Sequence, residues 1–456
     1  MIKVMKFGGG CLQNGPAFLK VAEIIGRQKK IVLVVSAVSG VTEELLTAIE
    51  QSKKSEKNIP AIMTRLTQKH RVIIDELCLP TMEKQRLLAT IAFQLAQARR
   101  LLTGIAYHND LTPAVKAKLL SYGERLAARL LAGLLVSQGR KASALDAHLA
   151  GICTDDNFEN ASIDRERTRK RFATRVKPLL LDGIIPVISG FFGRGARGSI
   201  TLLGRNGSDY SAAAVAYALK AGQLEIWKDV DGFMSTDPAM VETARQLERI
   251  SFAEAAELSY FGAKILHPRT VEPLAGSKTR LFIRNMNRPE NRGTEIFSGK
   301  SGRDEVVASI TANRRLANIR IFGPGVGCKP GIMSDISSLL AAQQINIYSV
   351  ITSQTCINLL IDQSDGQRSL QKIKVLTNGV IKKIVLEEHS ALIAVVGEKM
   401  MEKEGIYARI FTAVAREKIN VEMAAAGASP VACYFLVKRP NLDRAVRAVH
   451  NEFFPC

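Results

Sequence analysis

The strongest constraint on the fold is a strand–helix–strand pattern in the first 36 residues. Residues 2–7 have the character of a strand, and residues 30–36 hold a continuous apolar run of strand length. Between them, apolar residues recur at helical spacing over residues 16–27. An unbroken apolar strand is typical of a parallel strand that is buried on both faces. The pattern therefore predicts a βαβ unit within an α/β layered domain.

The rest of the chain divides into a longer α/β part and an internal repeat. Residues 43–139 have mainly helical periodicity, and apolar strands are predicted at 184–189 and 224–227. The turn-rich residues 288–293 mark the end of the α/β part near residue 296. Beyond it, a strand, a loop that ends in Gly-Ile, an amphipathic helix and an Ile-Asn pair occur twice. This repeat predicts two similar modules of about 65 residues.

Charge and composition restrict the partners and the compartment. The formal net charge of +20 favours anionic partners, but only 6% of the residues are aromatic, which argues against a surface that stacks nucleic-acid bases. The seven cysteines include no Cys-x-x-Cys pair, so neither a zinc ribbon nor a disulfide framework is indicated. No apolar run approaches ~20 residues. We therefore expect a cytoplasmic protein that binds neither nucleic acid nor membrane.

Two glycine-containing segments are candidate anion sites. Lys6 ends the first strand and is followed by three glycines, so that backbone amides and an ammonium group could approach phosphates. Residues 204–209 (GRNGSD) open a helix that starts at Ser208 or Asp209. For both segments an ordinary turn or helix cap remains the alternative.

Other motif-like segments favour structural explanations. The glycines of residues 193–198 lead into a further strand, which predicts a hairpin rather than a dinucleotide fingerprint. Residues 293–301 resemble a P-loop, but the spacing is wrong and no helix follows. The basic residues 165–177 are typical of a solvated helix face.

A series of ordered blocks resembles the aspartate kinases of the amino-acid kinase superfamily, over essentially the whole chain. The blocks are residues 6–9 (KFGG), 34–42 (VVSAVSGVT), 121–124 (SYGE), 151–156 (GICTDD), 190–191 (GF), 203–212 (LGRNGSDYSA), 225–232 (EIWKDVDG), 235–238 (STDP) and 261–268 (FGAKILHP). The repeated C-terminal modules resemble the paired ACT domains of that family. Since the chain stops at Cys456, we expect no fused homoserine dehydrogenase.

The resemblance implies a fold and its domain boundaries. We expect a three-layer αβα catalytic domain over residues 1–296, a linker and first ferredoxin-like (ACT) α+β module over 297–388, and a second over 389–456. It also allows an exchange of strands between the two ACT modules. A homo-oligomer, dimer or tetramer, that associates through the ACT modules is expected.

The implied reaction is transfer of the ATP γ-phosphoryl group to the β-carboxylate of L-aspartate, with Mg²⁺ arriving bound to ATP. Lys6 would stabilise the transferred group and Asp209 would organise Lys6, with no metal site on the protein itself. The nucleotide would contact Lys6, Gly8, Gly9, Lys228, Asp229 and Lys264. The amino-acid substrate would contact Ser36, Thr42, Glu124, Arg205 and Ser208.

Several departures from the family pattern keep an alternative open. Gly10 and Cys11 replace a usual Thr-Ser, Lys228 replaces a Thr, and Met234 and Ala239 replace a Tyr and an Arg. Lys228 is a candidate replacement for the lost Arg charge. The alternative is a non-catalytic, amino-acid-sensing regulatory protein on a degenerate kinase scaffold. A kinase for another carboxylate is disfavoured by the ACT pair and by Glu124 with Arg205.

The resemblance also places an effector at the ACT modules, in residues 329–335 and 346–354. Lysine-sensitive members often carry acids at positions that align here with Tyr348 and Gln354. A buried ammonium group without a carboxylate partner is costly. We therefore expect threonine, or lysine and threonine together, to be a better effector than lysine alone.

Overall fold

A computed structural model describes residues 1–26, 28–263, 265–299, 302–377 and 379–455, which fall into two compact units. The first unit comprises residues 1–233, 246–256 and 264–299, and the second comprises 234–245, 257–263 and 300–456. Among the described helices, none combines the length and the apolarity needed to cross a bilayer.

The first unit is built on one eight-stranded sheet. Its strands lie in the order β3-β4-β2-β1-β7-β9-β10-β8, and every neighbouring pair is parallel except β9 and β10. The elements of this part of the chain are β1 (Lys3–Phe7), α1 (Gly15–Ile25), β2 (Ile31–Val35), α2 (Val41–Lys54), α3 (Ile59–Glu76), α4 (Thr81–His108), α5 (Pro113–Leu120), α6 (Tyr122–Ser137), β3 (Ala142–Leu145), α7 (Ala147–Ala150), α8 (Arg165–Arg175), α9 (Lys177–Leu181), β4 (Ile185–Ser189), β5 (Phe192–Arg194), β6 (Ile200–Leu202), α10 (Gly207–Ala218), β7 (Gln223–Lys228), β8 (Arg249–Ser251), α11 (Phe252–Phe261), β9 (Arg280–Asn285) and β10 (Thr294–Phe297).

Burial explains why the first strands could be predicted. Every residue of β2 and β4 is buried, as expected for central parallel strands that are covered on both faces. Helices α6 and α10 pack against this sheet. The predicted α/β class is therefore confirmed, and the predicted helix after β1 ends at Ile25, just before Gly26 with its positive φ of 50°.

The second unit contains two four-stranded antiparallel sheets, each with its own apolar core. Their orders are β13-β14-β12-β15 and β11-β16-β18-β17. The elements are β11 (Ser309–Asn313), β12 (Leu316–Phe322), α12 (Ile332–Ala342), β13 (Ile347–Thr352), β14 (Cys356–Asp362), α13 (Gly366–Ile373), β15 (Lys383–Glu387), β16 (Ser390–Val396), α14 (Ile406–Arg416), β17 (Met423–Ala425), β18 (Ala432–Lys438) and α15 (Leu442–Phe453).

The two modules obtain their fourth strand differently. In the first, the segment from β12 to β15 supplies a complete βαββαβ set. In the second, β11 pairs antiparallel with β16, although it precedes the whole first module in the chain. The second module is therefore completed by a strand from outside residues 389–456.

The predicted glycine-rich hairpin is confirmed. Strands β5 and β6 pair antiparallel, with Phe192 opposite Leu202. Gly198 lies between them with a φ of 90°, a conformation that favours glycine. This segment therefore forms a turn and not a nucleotide-binding helix start.

Candidate active site

The carboxyl ends of three neighbouring strands bring the predicted lysines together. Lys6 of β1 lies opposite Val34 of β2 and Ile226 of β7, and Lys228 ends β7. Because the three strands are parallel, their carboxyl ends meet at one edge of the sheet. In open α/β sheets such an edge is where ligands bind.

The glycine segment continues from this edge. Gly9–Cys11 forms a short 3₁₀ turn, and the Gly8 amide donates a hydrogen bond to the Trp227 carbonyl oxygen at 3.1 Å. We expected the Gly8 amide to face a phosphate, but it already has a hydrogen-bond acceptor within the protein. The amides of Gly9 and Gly10 open the turn, where backbone N–H groups have no acceptor inside the helix.

Cys11 lies beneath the glycine segment and is chemically quiet. Its thiol contacts the same Trp227 carbonyl oxygen at 3.3 Å. Burial raises the pKa of Cys11 to about 11, although the nearby Lys6 opposes the shift. The thiol therefore stays protonated at neutral pH and is a poor nucleophile.

Asp209 connects the two lysines. One of its carboxylate oxygens lies 2.5 Å from Lys6 Nζ, and the other lies 3.1 Å from Lys228 Nζ. Burial by itself would raise the pKa of Asp209, but the charges of Lys228 and Lys6 outweigh it and lower the pKa to about 2. Asp209 is therefore a permanent anion that orients two ammonium groups, and Lys228 supplies a positive charge at this edge.

Glu124 of α6 is the second buried carboxyl group near this edge. Ser208 donates a hydrogen bond to one of its oxygens at 3.4 Å, and the other oxygen has no hydrogen-bond partner among the described residues. Burial raises the pKa of Glu124 to about 8, opposed in part by backbone hydrogen bonds and by the charge of Lys6. An ammonium group from a ligand would satisfy this carboxyl group.

A polar cavity of about 270 Å³ lies beside Lys6, Asp209 and Lys228. The size suits part of a nucleotide or a small amino acid rather than a macromolecule. Its wall combines ammonium groups, hydroxyl groups and residues without side chains, as an anion site requires. The cavity is lined by Lys6, Gly8, Gly9, Gly10, Ser36, Asn206, Ser208, Asp209, Lys228 and Asp229.

Most of the expected site residues meet at this cavity, and a few lie apart from it. Thr42 is half-buried in the first turn of α2, and Arg205 is exposed in the turn before α10. Glu124 lies behind Ser208. Lys264 lies outside the described residues. The structure therefore brings together the phosphate-binding half of the expected site more completely than its amino-acid half.

Asn206 is a lining residue that belongs to the candidate anion segment 204–209 but was not singled out from the sequence. It precedes α10 with a φ of 55°, is exposed, and makes no side-chain capping bond to the helix. Asparagine tolerates this left-handed conformation better than most residues. An asparagine next to a glycine at a predicted helix start was the signal that could have marked it.

Comparison with known proteins extends these observations to the whole chain. The sequence model of the amino acid kinase family matches residues 1–285, and that of an ACT domain matches residues 393–453. The chain is 31% identical to the chloroplastic aspartokinase 3 of Arabidopsis thaliana over 467 residues, or 99% of this chain and 81% of that protein. It is 28% identical over 467 residues to the bifunctional aspartokinase/homoserine dehydrogenase of Buchnera aphidicola, of which it spans only 56%.

Solved structures of Escherichia coli aspartokinase III have the same overall fold. The complex with aspartate and ADP, described as the R-state, superposes with a TM-score of 0.81 at 27% identity and covers 100% of both chains. The complex with lysine and aspartate, described as the T-state, gives a TM-score of 0.85 at 26% identity over 99% of both chains.

Proposed function

Because this chain belongs to the aspartokinase family, we propose that the cavity beside β1 and β7 transfers the γ-phosphoryl group of ATP to the β-carboxylate of L-aspartate. The product is 4-phospho-L-aspartate, the first intermediate on the route to lysine, threonine and methionine. One observation carries the proposal: a buried Asp209 holds Lys6 and Lys228 beside a run of glycines.

The reaction needs charge neutralisation rather than a general base. The β-carboxylate of aspartate has a pKa near ~4 and is already ionised at neutral pH. One of its oxygens forms a bond to the γ-phosphorus as the bond from that phosphorus to the β,γ-bridging oxygen breaks, and ADP takes the electron pair. No proton is removed from the nucleophile, which suits a site whose Asp209 has a pKa of about 2.

Lys6 and Lys228 are assigned to the phosphates. Their ammonium groups flank Asp209 on opposite oxygens, which fixes their positions before ATP binds. Such preorganised charge stabilises the transition state because no reorientation is needed during the reaction. The Gly9 and Gly10 amides are assigned to further phosphate oxygens, whereas the Ser36 hydroxyl, which lines the same cavity, stays assigned to the amino-acid substrate.

Mg²⁺ is assigned to the bound nucleotide. The described residues hold no cluster of three or more His, Cys, Asp or Glu able to bind a metal, and both oxygens of Asp209 face lysines. Asp229 is exposed in the cavity wall and offers the carboxylate oxygens that Mg²⁺ prefers. When bound, the ion neutralises charge on the phosphates. Lys264 is retained as a proposed nucleotide contact.

L-Aspartate is assigned to the groups beside α6 and α10. Glu124 would accept the substrate ammonium, whose charge favours the ionised form of a carboxyl group that burial alone keeps protonated. Arg205, with its planar guanidinium, would pair with a substrate carboxylate. The hydroxyl groups of Thr42 and Ser208 would add hydrogen bonds.

The experiment that tests this function is an assay of ADP release with aspartate as the acceptor, combined with hydroxylamine to trap the acyl phosphate. We expect aspartyl hydroxamate to form in proportion to ADP. Amino-acid binding without ADP release or hydroxamate would instead support the non-catalytic sensor. Glutamate as the acceptor is the matched control for a kinase acting on another carboxylate.

Feedback regulation by an amino acid is assigned to the second unit, at residues 329–335 and 346–354. Tyr348 accepts a hydrogen bond from the Tyr260 hydroxyl through its carbonyl oxygen, and Gln354 is exposed. Neither provides a carboxylate for a lysine ammonium, whereas Asp335 is an exposed acid nearby. Titration of kinase activity should show stronger inhibition by threonine, or by threonine with lysine, than by lysine alone; strong inhibition by lysine alone would contradict this assignment.

The remaining assignments concern organisation. We propose a catalytic domain over residues 1–296, a linker and first ACT module over 297–388, and a second ACT module over 389–456, with β11 exchanged into the second module. We also propose a dimer or tetramer that forms through the ACT modules, which the elution volume with in-line light scattering would test. A cytoplasmic location stays a prediction.

A further inference from the structure

The catalytic sheet carries a second cavity at its other edge. This cavity, of about 720 Å³, lies where β2 and β4 begin, and its wall includes Ile31 and Ile185. The catalytic cavity lies at the carboxyl ends of the strands. A strand of five residues separates two edges by roughly 16 Å, so a ligand here would not touch the substrates.

The second cavity has an uncompensated positive charge. Lys29, Lys30, Arg140 and Lys141 line it, and no carboxylate is among the described residues that line its wall. Within the part of the chain that the structure describes, the three lysines are exposed and form neither an ion pair nor a side-chain hydrogen bond. Arg140 instead donates hydrogen bonds to the backbone carbonyl oxygens of Gly26 and Gln28, and these bonds stabilise the cavity wall.

Part of the cavity wall is apolar. Leu180 and Ile184 are half-buried there, and the Leu181 side chain, at the end of α9, is 86% exposed. Among the described residues that line this cavity none is aromatic, so the wall offers no surface for base stacking. A cavity lined by both apolar residues and lysines suits a ligand with an apolar body and an anionic end.

We propose that this cavity binds an amphipathic organic phosphate or carboxylate of small-molecule size. The anionic end would lie among Lys29, Lys30 and Lys141, where clustered like charges favour a counter-anion. The apolar body would cover Leu181 and its neighbours and remove them from water. The cavity volume falls within the range of about 300–1,000 Å³ that is usual for small-molecule sites.

Isothermal titration calorimetry of the full chain with 1-naphthyl phosphate tests the site. Saturating ADP and aspartate keep the catalytic cavity filled during the titration. We expect saturable binding of one naphthyl phosphate per chain. Inorganic phosphate (the charge alone) and 1-naphthol (the apolar body alone) should each bind at least about tenfold more weakly, since each offers one half of the recognition. Absence of saturable binding, or equal affinity for inorganic phosphate, would overturn the proposal.

Matched variants locate the binding. Lys29→Glu with Lys141→Glu should weaken naphthyl phosphate binding at least about tenfold, because two attractive charges become repulsive. Lys57→Glu with Lys170→Glu makes the same change in net charge at exposed positions outside the cavity and should preserve binding. Leu181→Asn provides an independent test through the apolar wall and should weaken naphthyl phosphate but not inorganic phosphate. Equal losses in both double variants, or no effect of Leu181→Asn, would contradict the assignment.

Discussion

Asp209 and Glu124 are two buried carboxyl groups of one site, and they differ in their charge. Asp209 contacts two ammonium groups, and its pKa lies at about 2. Glu124 contacts the Ser208 hydroxyl and forms no ion pair with the described residues, and burial raises its pKa to about 8. Both side chains are almost completely buried. Because both groups are buried, the two lysines beside Asp209 account for the difference between the two pKa values.

The difference in charge between Asp209 and Glu124 suits two different roles. A permanent anion at Asp209 holds Lys6 and Lys228 in place at every working pH, because its titration lies far below neutrality. A carboxyl group that is protonated in the empty site, as at Glu124, can lose its proton when a substrate ammonium arrives. Under the proposed assignments, the phosphate side is preorganised, whereas the amino-acid side is completed by its ligand.

The largest expected effect is on the Asp209 side. Lys6→Ala removes an ammonium group where negative charge concentrates in the transition state, and kcat should fall by about 100-fold or more. The steady-state rate of ADP release measures this fall in kcat, and Lys20→Ala, outside the cavity, is the control. Near-normal turnover of Lys6→Ala would remove Lys6 from the reaction.

The raised pKa of Glu124 predicts that kcat/KM for aspartate increases with pH. Because its pKa is raised to about 8, the group is mostly uncharged at pH 6–7 in the free enzyme. The kcat/KM for aspartate should therefore rise by about tenfold per pH unit and level off above pH 8, since this parameter reports the free enzyme.

Glu124→Gln is the matched variant for that profile. It keeps the size of the side chain but cannot ionise, so kcat/KM for aspartate should be low and lose this step. The KM for ATP should stay within about twofold, because the variant leaves the lysines in place. If the rise of kcat/KM with pH persists unchanged in Glu124→Gln, it reports the titration of a group other than Glu124.

The variant Lys228→Met tests how much activity depends on the second ammonium group beside Asp209. The variant keeps an apolar stem, removes the charge and leaves Asp209 paired with Lys6 alone. We expect kcat/KM for ATP to fall by about tenfold, since one preorganised charge is lost. Lys228→Arg retains the charge and should recover part of the activity; equal kinetics for Lys228→Met and the wild type would show that Lys6 suffices.

Arg205→Lys should give the smallest effect. An ammonium group cannot form the bidentate pair that a guanidinium makes with a carboxylate, so the KM for aspartate should rise by about three- to tenfold with kcat little changed. Arg197→Lys, at an exposed arginine of the β5–β6 hairpin, is the control. An unaltered KM for aspartate would separate Arg205 from the substrate.

Much of the fold could be predicted because burial on both faces leaves a plain sequence pattern. Strands β2 and β4 are continuous apolar runs, and both were expected close to their observed bounds. Strand β3 (Ala142–Leu145) was missed, because its small residues and Ser143 are only half-buried at the edge of the sheet. The pairing of β11 with β16 joins residues about 80 positions apart, and no local pattern specifies such a partner.

For the site, the sequence by itself determined which residue types stand at strand ends and helix starts, including Lys6, the glycines and Asp209. Only the tertiary structure decided the distances, since Lys6, Asp209 and Lys228 meet through parallel strands and one helix start that are far apart in the chain. It also engaged the Gly8 amide with Trp227 and gave Asp209 and Glu124 opposite pKa shifts. The physical reason is that a pKa depends on burial and on the charges within a few ångströms, which the order of residues along the chain does not specify.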